Sequence, residues 1–286
     1  MPGLLRVTKV YKLFTMELTN WIFSQDGPVA HLVLNRPDKA NALDIQAWQE
    51  LKTAMNHCAD TSAIRVIVLS GAGERVFSAG IDLSVLMGVR QRVADDCEGR
   101  MRERLHQFIL EYQGIINQLE TCPKPVLAAI QGGCIGAGLD LVCAADMRYC
   151  SADAYFCIKE IDMGMVADFG TLQRLPHLIS DGLTRELAFT GRHLSAEEAQ
   201  RAGLVNRVFA DKTELLEEVL KLARQIGEKS PLSIRGIKRN LLFARDHSVA
   251  DSLEYIATWN AGMLLSNDLN TAFQAAVNKQ KAVFND

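Results

Sequence analysis

The sequence has no cysteine or histidine spacing that would mark a metal, redox or hydrolase site. Its seven cysteines are an odd number without a C-x-x-C pair, and its six histidines are scattered. This argues against a disulfide framework and a zinc site, and we expect core thiols in a reducing compartment. The histidines also have no serine or cysteine partner at dyad spacing. Because a G-x-S-x-G elbow is missing as well, a serine hydrolase is disfavoured.

The chain also lacks a surplus of charge of one sign. Its 286 residues carry a formal net charge of −3, so no global field attracts a polyanion such as DNA or RNA. The best local candidate for a basic stripe is Arg100, Arg102 and Arg104, which Glu98 and Glu103 dilute. We therefore expect no nucleic-acid partner.

No uninterrupted apolar run predicts a membrane span. The segment 125–146 is apolar apart from Gln131 and two aspartates. A carboxylate such as Asp140 would be costly in lipid, and the pair Gly132 and Gly133 interrupts the segment. A strand, a glycine loop and a helix account for it better.

The two ends of the chain bear on its cellular compartment. Near the start, Arg6, Lys9 and Lys12 precede the first acid, Glu17, as in mitochondrial targeting segments, although arginine and serine are few. The chain does not end in the Ser-Lys-Leu peroxisomal address. We predict an N-terminal extension over residues 1–20 with targeting character.

Strand-like runs recur along the chain, each followed by a glycine turn and a helical pattern. Buried-looking runs over 29–35, 64–70 and 125–130 end in such turns. A repeat of strand, glycine and helix at a spacing of about 60 residues predicts an α/β fold of repeated units that stack their strands into layered sheets.

From about Asp211 the pattern changes to helix. Four helical patterns follow, with few strand signals, over 215–226, 232–243, 248–264 and 270–284. Such helices either pack against the core or, where the apolar face is wider, form an oligomer interface. The predicted parts are the extension at 1–20, a core with the active site at 21–210 and a helical oligomerisation subdomain at 211–286.

Two segments place small residues where a loop turns toward a helix start. They are 77–83, Phe-Ser-Ala-Gly-Ile-Asp-Leu, and 132–140, Gly-Gly-Cys-Ile-Gly-Ala-Gly-Leu-Asp. Backbone N–H groups at such points lack intrahelical partners. Two of them converging on one oxygen would form an oxyanion hole that favours an enolate over a neutral carbonyl. A single glycine loop is more often an ordinary tight turn, and the prediction therefore rests on the pair of loops, each with an aspartate close behind.

Two acids lie in an apolar stretch rich in Met, Ile and Val over 158–170. Glu160 and Asp168 would be desolvated there, which raises the pKa of a carboxyl and lets it exchange protons near neutrality. A pair separated in space could take a proton from one carbon and return one to another. The alternative is that Glu160 caps a helix or pairs with a nearby Arg or Lys.

Nearly the whole chain resembles the enoyl-CoA hydratase/isomerase (crotonase) superfamily. The resemblance lies in Asn35-Arg36-Pro37 with Asn41-Ala42-Leu43, in Phe77-Ser78-Ala79-Gly80-Ile81-Asp82 and in Gly136-Ala137-Gly138. It is most similar to the Δ3,5-Δ2,4-dienoyl-CoA isomerase branch. Asp140 stands where hydratases carry Glu, and Asp168 stands where they usually lack an acid. The C-terminal stretch 245–260 also resembles that branch.

The resemblance implies a crotonase-like spiral of repeated strand-strand-helix units with a C-terminal helical subdomain. It implies an oxyanion hole from the amides of Ile81 and Ala137, with Ala137 replacing the usual glycine. It implies a proton-shuttling pair, Glu160 and Asp168, and a third acid, Asp140, that tunes or positions them. Which acid serves C2 and which serves C6 stays open.

The same resemblance implies the ligands and partners. The substrate would be an acyl-CoA thioester, contacted by Lys39, Ala79, Lys279 and Lys281, with coenzyme A as handle and without an organic cofactor or metal. Relatives form trimers or paired trimers, so a homotrimer or homohexamer is expected, in the mitochondrial matrix or a peroxisome-like organelle. Competing interpretations are a 2-enoyl-CoA hydratase, a 3-enoyl-CoA isomerase, and a non-catalytic or RNA-binding hydratase-like protein.

Overall fold

The computed structural model describes residues 16–286, so most of the predicted extension at 1–20 lies outside the described residues. The strands are β1 (Trp21–Asp26), β2 (Val29–Leu34), β3 (Val66–Gly71), β4 (Val76–Ser78), β5 (Val126–Ile130), β6 (Gly133–Ile135), β7 (Met147–Ser151), β8 (Tyr155–Cys157), β9 (Leu194–Ser195) and β10 (Arg207–Phe209). The helices are α1 (Ile45–Asp60), α2 (Leu83–Val93), α3 (Glu98–Thr121), α4 (Ala137–Ala144), α5 (Thr171–Arg174), α6 (Asp181–Thr190), α7 (Ala196–Ala202), α8 (Lys212–Gly227), α9 (Pro231–Asp246), α10 (Val249–Met263) and α11 (Asn267–Val277).

Two sheets form the layers that the repeat predicts. The six-stranded sheet has the order β1-β2-β3-β5-β7-β10, with β1 antiparallel to β2 and the other pairs parallel. The four-stranded sheet has the order β4-β6-β8-β9. Along the chain β3 leads to β4, β5 to β6 and β7 to β8, so each unit contributes one strand to each sheet before a helix follows.

Strand β3 shows why the central strands are apolar on both faces over most of their length. Ile67 and Leu69 belong to the main core between the sheets and helices α1, α3 and α4. Val66 and Val68 face the other way, into a second core that helix α8 covers. A parallel strand with both faces covered has no solvent side, and all six residues of β3 are buried.

The apolar segment 125–146 forms β5, β6 and α4, as its glycine pair predicts. Burial of Asp140 in α4 is therefore burial inside a protein core and not in lipid. Among the described residues, no helix is both long and apolar enough to cross a membrane.

The C-terminal part is helical, as predicted, but its helices differ in what they cover. Helix α8 packs on the six-stranded sheet through Leu215 and Val219. Helices α10 and α11 contain no buried residue. The last helix was expected to reach 284 and instead ends at Val277, because the chain turns at Lys279, which has a φ of 54°. The division at 211 remains a prediction.

Candidate active site

The two glycine segments meet at Gly80. Its φ is 91°, and a Cβ added there would lie 2.8 Å from the carbonyl oxygen of Ile135 and 3.1 Å from the amide nitrogen of Ala137. The backbone of segment 77–83 therefore runs directly against the start of helix α4. Only glycine allows both this conformation and this approach.

The hydrogen bonds of the flanking residues Gly80 and Asp82 set the orientation of the Ile81 N–H. The N–H of Leu43 donates to the carbonyl of Gly80 at 2.8 Å, and the N–H of Asp82 donates to the carbonyl of Leu43 at 3.0 Å. In this parallel bridge the intervening residue turns its own N–H to the opposite side. The N–H of Ile81 therefore points away from Leu43 and is available to a ligand.

The amide of Ala137 is the first of helix α4, a position without an intrahelical acceptor. The N–H of Gly136 donates to the carbonyl of Cys157 at 2.9 Å and fixes the loop. Three described non-glycine residues have a positive φ, namely Ala40, Asn41 and Lys279. Since Ala137 is not among them, its methyl group, which departs from the family pattern, introduces no backbone strain.

Glu160 lies beside this helix start. Its Oε1 is 3.1 Å from the position that a Cβ would take on Gly136. Its Oε2 is buried without a hydrogen-bond partner among the described residues. Burial, followed by the charge of Asp140 and then that of Asp168, raises the pKa of Glu160 to about 7. The neighbouring Lys159 pairs with Asp162 at 2.6 Å, so the ion pair of this segment leaves Glu160 out.

Asp140 is buried in the first turn of α4, with 1% of its surface exposed. Its Oδ1 accepts a hydrogen bond of 2.6 Å from the N–H of Thr171. Burial raises its pKa to about 6, against the hydrogen bonds from Thr171 and with a contribution from Asp168. Asp140 thus joins α4 to the segment that follows Asp168.

Asp168 lies in an exposed loop position between the buried residues Ala167 and Phe169. The Phe169 ring stacks on Tyr112 and meets Trp48 edge-on, which anchors the loop in the main core. The Asp168 carbonyl also accepts a hydrogen bond of 2.6 Å from Gln113 Nε2. Partial removal of the carboxyl from water raises the pKa of Asp168. The charge of Asp168 contributes to the raised pKa values of both Asp140 and Glu160, so its carboxyl lies near the other two.

Of the four predicted substrate contacts, Lys39 and Ala79 lie at the first loop, Lys281 lies near the C-terminus, and Lys279 lies at the turn after α11. The N–H of Ala79 donates to the carbonyl of Ala40, next to the exposed Lys39, so the first two lie together at the first loop. Lys281 pairs with Glu228 at 2.6 Å and lines a depression of about 880 Å³ that also contains Arg65. No residue of 77–83 or 132–140 lines that depression. Within one chain, the structure does not bring Lys281 and the first loop to one cavity.

Sequence reasoning assigned no role to Arg36 and Asn41, which hold the first loop in place. Arg36 pairs with Asp44 at 2.9 Å and with Asp82 at 3.1 Å. The Asn41 side chain donates to the carbonyls of Ala72 and Val76 at 2.8 and 2.9 Å. Both residues belong to the motif that carries the family resemblance, but most of their partners lie about 30 to 45 positions further along the chain.

Glu160→Gln is expected to stabilise the fold at alkaline pH. A carboxyl whose folded pKa is raised costs stability once ionised; the cost is absent below its unfolded pKa and complete above about 7. We expect a gain on the order of 1–3 kcal/mol in the free energy of unfolding at pH 8 and a smaller gain at pH 5. Urea unfolding at both pH values measures it. An equal gain at both would show that the ionised carboxyl is not the source.

The chain belongs to the Enoyl-CoA hydratase/isomerase family, whose profile matches residues 24–286. Its relatives include Δ3,5-Δ2,4-dienoyl-CoA isomerases. The mitochondrial one of Homo sapiens is 47% identical over 262 residues, which are 91% of this chain and 79% of that protein. The peroxisomal one of Arabidopsis thaliana is 46% identical over 260 residues, 91% and 93% of the two chains. These compartments agree with the predicted mitochondrial or peroxisome-like location.

The fold agrees with solved structures of the same family. The enoyl-CoA hydratase of Bacillus anthracis superposes with a TM-score of 0.85 at 28% identity, covering 93% of this chain and 99% of that one. A second enoyl-CoA hydratase structure, from Geobacillus kaustophilus, gives a TM-score of 0.83 at 30% identity, covering 94% and 99%. The predicted crotonase-like fold is confirmed.

Proposed function

We propose that this chain is an isomerase of fatty-acid β-oxidation that converts 3,5-dienoyl-CoA to 2,4-dienoyl-CoA. Curated relatives at 46–47% identity carry this activity in their names. The observation that carries the proposal is the grouping of Asp140, Glu160 and Asp168 beside the two backbone amides, with raised pKa values. A shift of two double bonds needs proton exchange at two distant carbons, and two separated acids supply it.

In the first step the Glu160 carboxylate takes a proton from C2. Glu160 is assigned to C2 because its Oε1 lies next to Gly136, at the amide of Ala137 that would hold the thioester oxygen. The electrons of the C2–H bond enter the conjugated system, which becomes a trienolate that extends from the thioester oxygen to C6. The amides of Ile81 and Ala137 stabilise its oxygen, a contribution that in other enzymes is worth about 3–4 kcal/mol per donor.

In the second step Asp168 gives its proton to C6. The trienolate electrons form the new C6–H bond, and the double bonds of the product lie at C2 and C4. After the reaction Glu160 holds the proton from C2, and Asp168 has lost its proton to C6. A proton must pass from Glu160 to Asp168 before the next turnover. Because the thioester and the amides act as electron sink, the proposed reaction uses no organic cofactor and no metal, and coenzyme A serves as the handle.

The rate should depend on pH in a bell-shaped manner, since the pair must hold one proton. The titration belongs to the coupled pair, and kcat/KM reports the free enzyme. We expect kcat/KM to fall as the pH rises through about 7, because the pair then loses its last proton, which the free enzyme holds mainly on Glu160 and which Asp168 must supply to C6. It should also fall in acid, where a second proton blocks the base. A kcat/KM that stays constant from pH 6 to 9 would contradict this.

The direct test is an ultraviolet assay with a synthetic 3,5-dienoyl-CoA. Formation of the 2,4-dienoyl chromophore is the expected result. The main competitor is hydration on the same scaffold, which needs two acids that grip a water, and here Asp140 is engaged by the amide of Thr171. Formation of 3-hydroxyacyl-CoA from 2-enoyl-CoA, without any dienoyl product from the 3,5-diene, would replace isomerisation by hydration.

We further propose that the chain has no nucleic-acid partner. The arginines of the candidate stripe are paired with acids: Arg100 and Arg104 with Asp95, and Arg102 with Glu98. Their charge is thereby largely compensated and does not form a basic surface. A salt-dependent RNA gel shift would contradict this proposal.

We also propose a homotrimer or homohexamer assembled through the helices of 211–286. Large apolar side chains are exposed on α9 to α11, among them Leu241, Leu253, Phe273 and Val277. A face of this kind on three consecutive helices is typical of a subunit interface. The native mass of the protein, measured by light scattering, should be three or six times that of the chain.

A further inference from the structure

A buried ion cluster lies behind the loop that bears Asp168. Arg174, at the end of α5, donates from Nη2 to Glu120 Oε2 at 3.0 Å and from Nε to Glu120 Oε1 at 3.3 Å. The same guanidinium donates to Asn117 Oδ1 at 2.5 Å. The side chains of Arg174 and Glu120 are only 11% and 16% exposed. A bidentate pair of this kind fixes the guanidinium plane.

The guanidinium of Arg174 in turn fixes the backbone next to Asp168. Gly170 has a φ of 127°, and a Cβ at this position would collide with Nη1 of Arg174. The N–H of Arg174 also donates to the carbonyl of Gly170 at 3.0 Å. The next residue, Thr171, gives its N–H to Asp140. The chain from 168 to 171 is thus held between the Arg174 guanidinium on one side and the buried acid on the other.

We propose that Arg174, oriented by Glu120, is a positioning residue that sets the segment Asp168–Thr171 for proton transfer. The inference rests on the proposed function of Asp168 and adds to it the group that places its carboxyl. The described hydrogen bonds and ion pairs of Arg174 join it to Glu120, Asn117 and Gly170 and to none of the three acids, so its proposed role is to position the segment and not to donate a proton.

Glu120 has a second task in this arrangement. An arginine this close to Asp140 and the Asp168 loop, without a partner of its own, would pair with a catalytic carboxylate and keep it ionised. Burial opposes the charge of Glu120, but hydrogen bonds from Arg174 and Arg245 outweigh it and lower its pKa. The ionised Glu120 pairs with the Arg174 guanidinium and thereby prevents this. The charge of Arg174 that remains acts on Asp140, whose pKa it lowers against the effect of burial.

The test compares Arg174→Lys, Arg174→Met and Glu120→Gln with the wild type in the 3,5-dienoyl-CoA assay. Arg174→Lys keeps the charge but loses the bidentate pair, and misplacement of this size typically lowers kcat by about 10- to 100-fold. We expect that loss in kcat, with KM within about two-fold, in each variant that is folded at the assay temperature. Arg185→Met, which removes an exposed arginine from an ion pair with Asp181, is the matched control and should keep wild-type kcat.

A readout that needs no turnover separates this inference from the proposed function. The carboxyl titration of Asp140, followed by ¹³C NMR and assigned with Asp140→Asn, should move to higher pH in Arg174→Met but not in Arg185→Met. Wild-type kcat in Arg174→Lys and Glu120→Gln would overturn the positioning role, and so would a rise in KM that accounts for the whole loss. A wild-type enzyme that is inactive on the 3,5-diene refutes the proposed function instead. In that case the NMR titration alone tests Arg174. An Asp140 titration that is the same in Arg174→Met as in the wild type would overturn the role of Arg174.

Discussion

Asp168→Asn is expected to lower kcat for 3,5-dienoyl-CoA by about 10²- to 10⁴-fold, the usual contribution of a positioned acid or base. The asparagine amide keeps the size of the side chain but has no proton that it can release to C6. The trienolate that forms after proton removal from C2 then lacks the proton that it needs at C6. Binding should survive, because the substitution leaves unchanged the first loop and the backbone amides, which are the proposed contacts of the acyl-CoA.

Steady-state kinetics measures the change in kcat, and isothermal titration with a non-reactive acyl-CoA measures the binding. Asp162→Asn is the matched control, since Asp162 lies in the same loop region and pairs with the exposed Lys159. It should leave kcat near the wild-type value. Near wild-type turnover in Asp168→Asn would remove Asp168 from the mechanism while leaving the family assignment untouched.

Gly80→Ala should reduce turnover by about 10²- to 10³-fold, as removal of one oxyanion donor does in other enzymes. The added methyl group would meet the carbonyl of Ile135 at 2.8 Å and the amide of Ala137 at 3.1 Å. These are backbone atoms, so the two segments must move apart. The amides of Ile81 and Ala137 would then no longer converge on one oxygen.

Two further glycines provide controls for this variant. Gly27 has a positive φ of 55° but open space around it, so Gly27→Ala tests the cost of the conformation alone. Gly88 has open space and no positive φ, so Gly88→Ala tests the added methyl group alone. Both should keep kcat, measured in the same dienoyl-CoA assay. Unchanged kcat in a folded Gly80→Ala enzyme would contradict an oxyanion hole at this contact.

Much of the fold could be predicted from the sequence, because buried strands and helices have characteristic patterns of apolar residues. Strand β3 has both faces covered, and its residues 66–69 form an uninterrupted apolar run. The glycine turns mark the ends of β3 and β5, and the predicted helices at 215–226, 232–243 and 248–264 all form. The short strands β4, β6 and β9 carry little signal, since two or three residues cannot display a period.

The site was predictable where its chemistry lies in short segments and not where it depends on distant pairs. The segments with Ile81, Ala137, Glu160 and Asp168 stand out by small or acidic residues in unusual surroundings. Their approach to one another is set by the sheet order, which no local pattern contains. Arg174 and Glu120 pair across 54 positions of the chain. No local sequence pattern around either residue predicts this pair.

The oxyanion hole proposed here consists of main-chain amides, which every amino acid except proline possesses. Its electrophilic power is therefore insensitive to the side chains at 81 and 137, where isoleucine and alanine stand in this chain. In the proposed mechanism, the carbon that is protonated depends on how far along the acyl chain an acid projects. A new activity could then arise by relocating a single carboxyl, with the anion-stabilising apparatus retained.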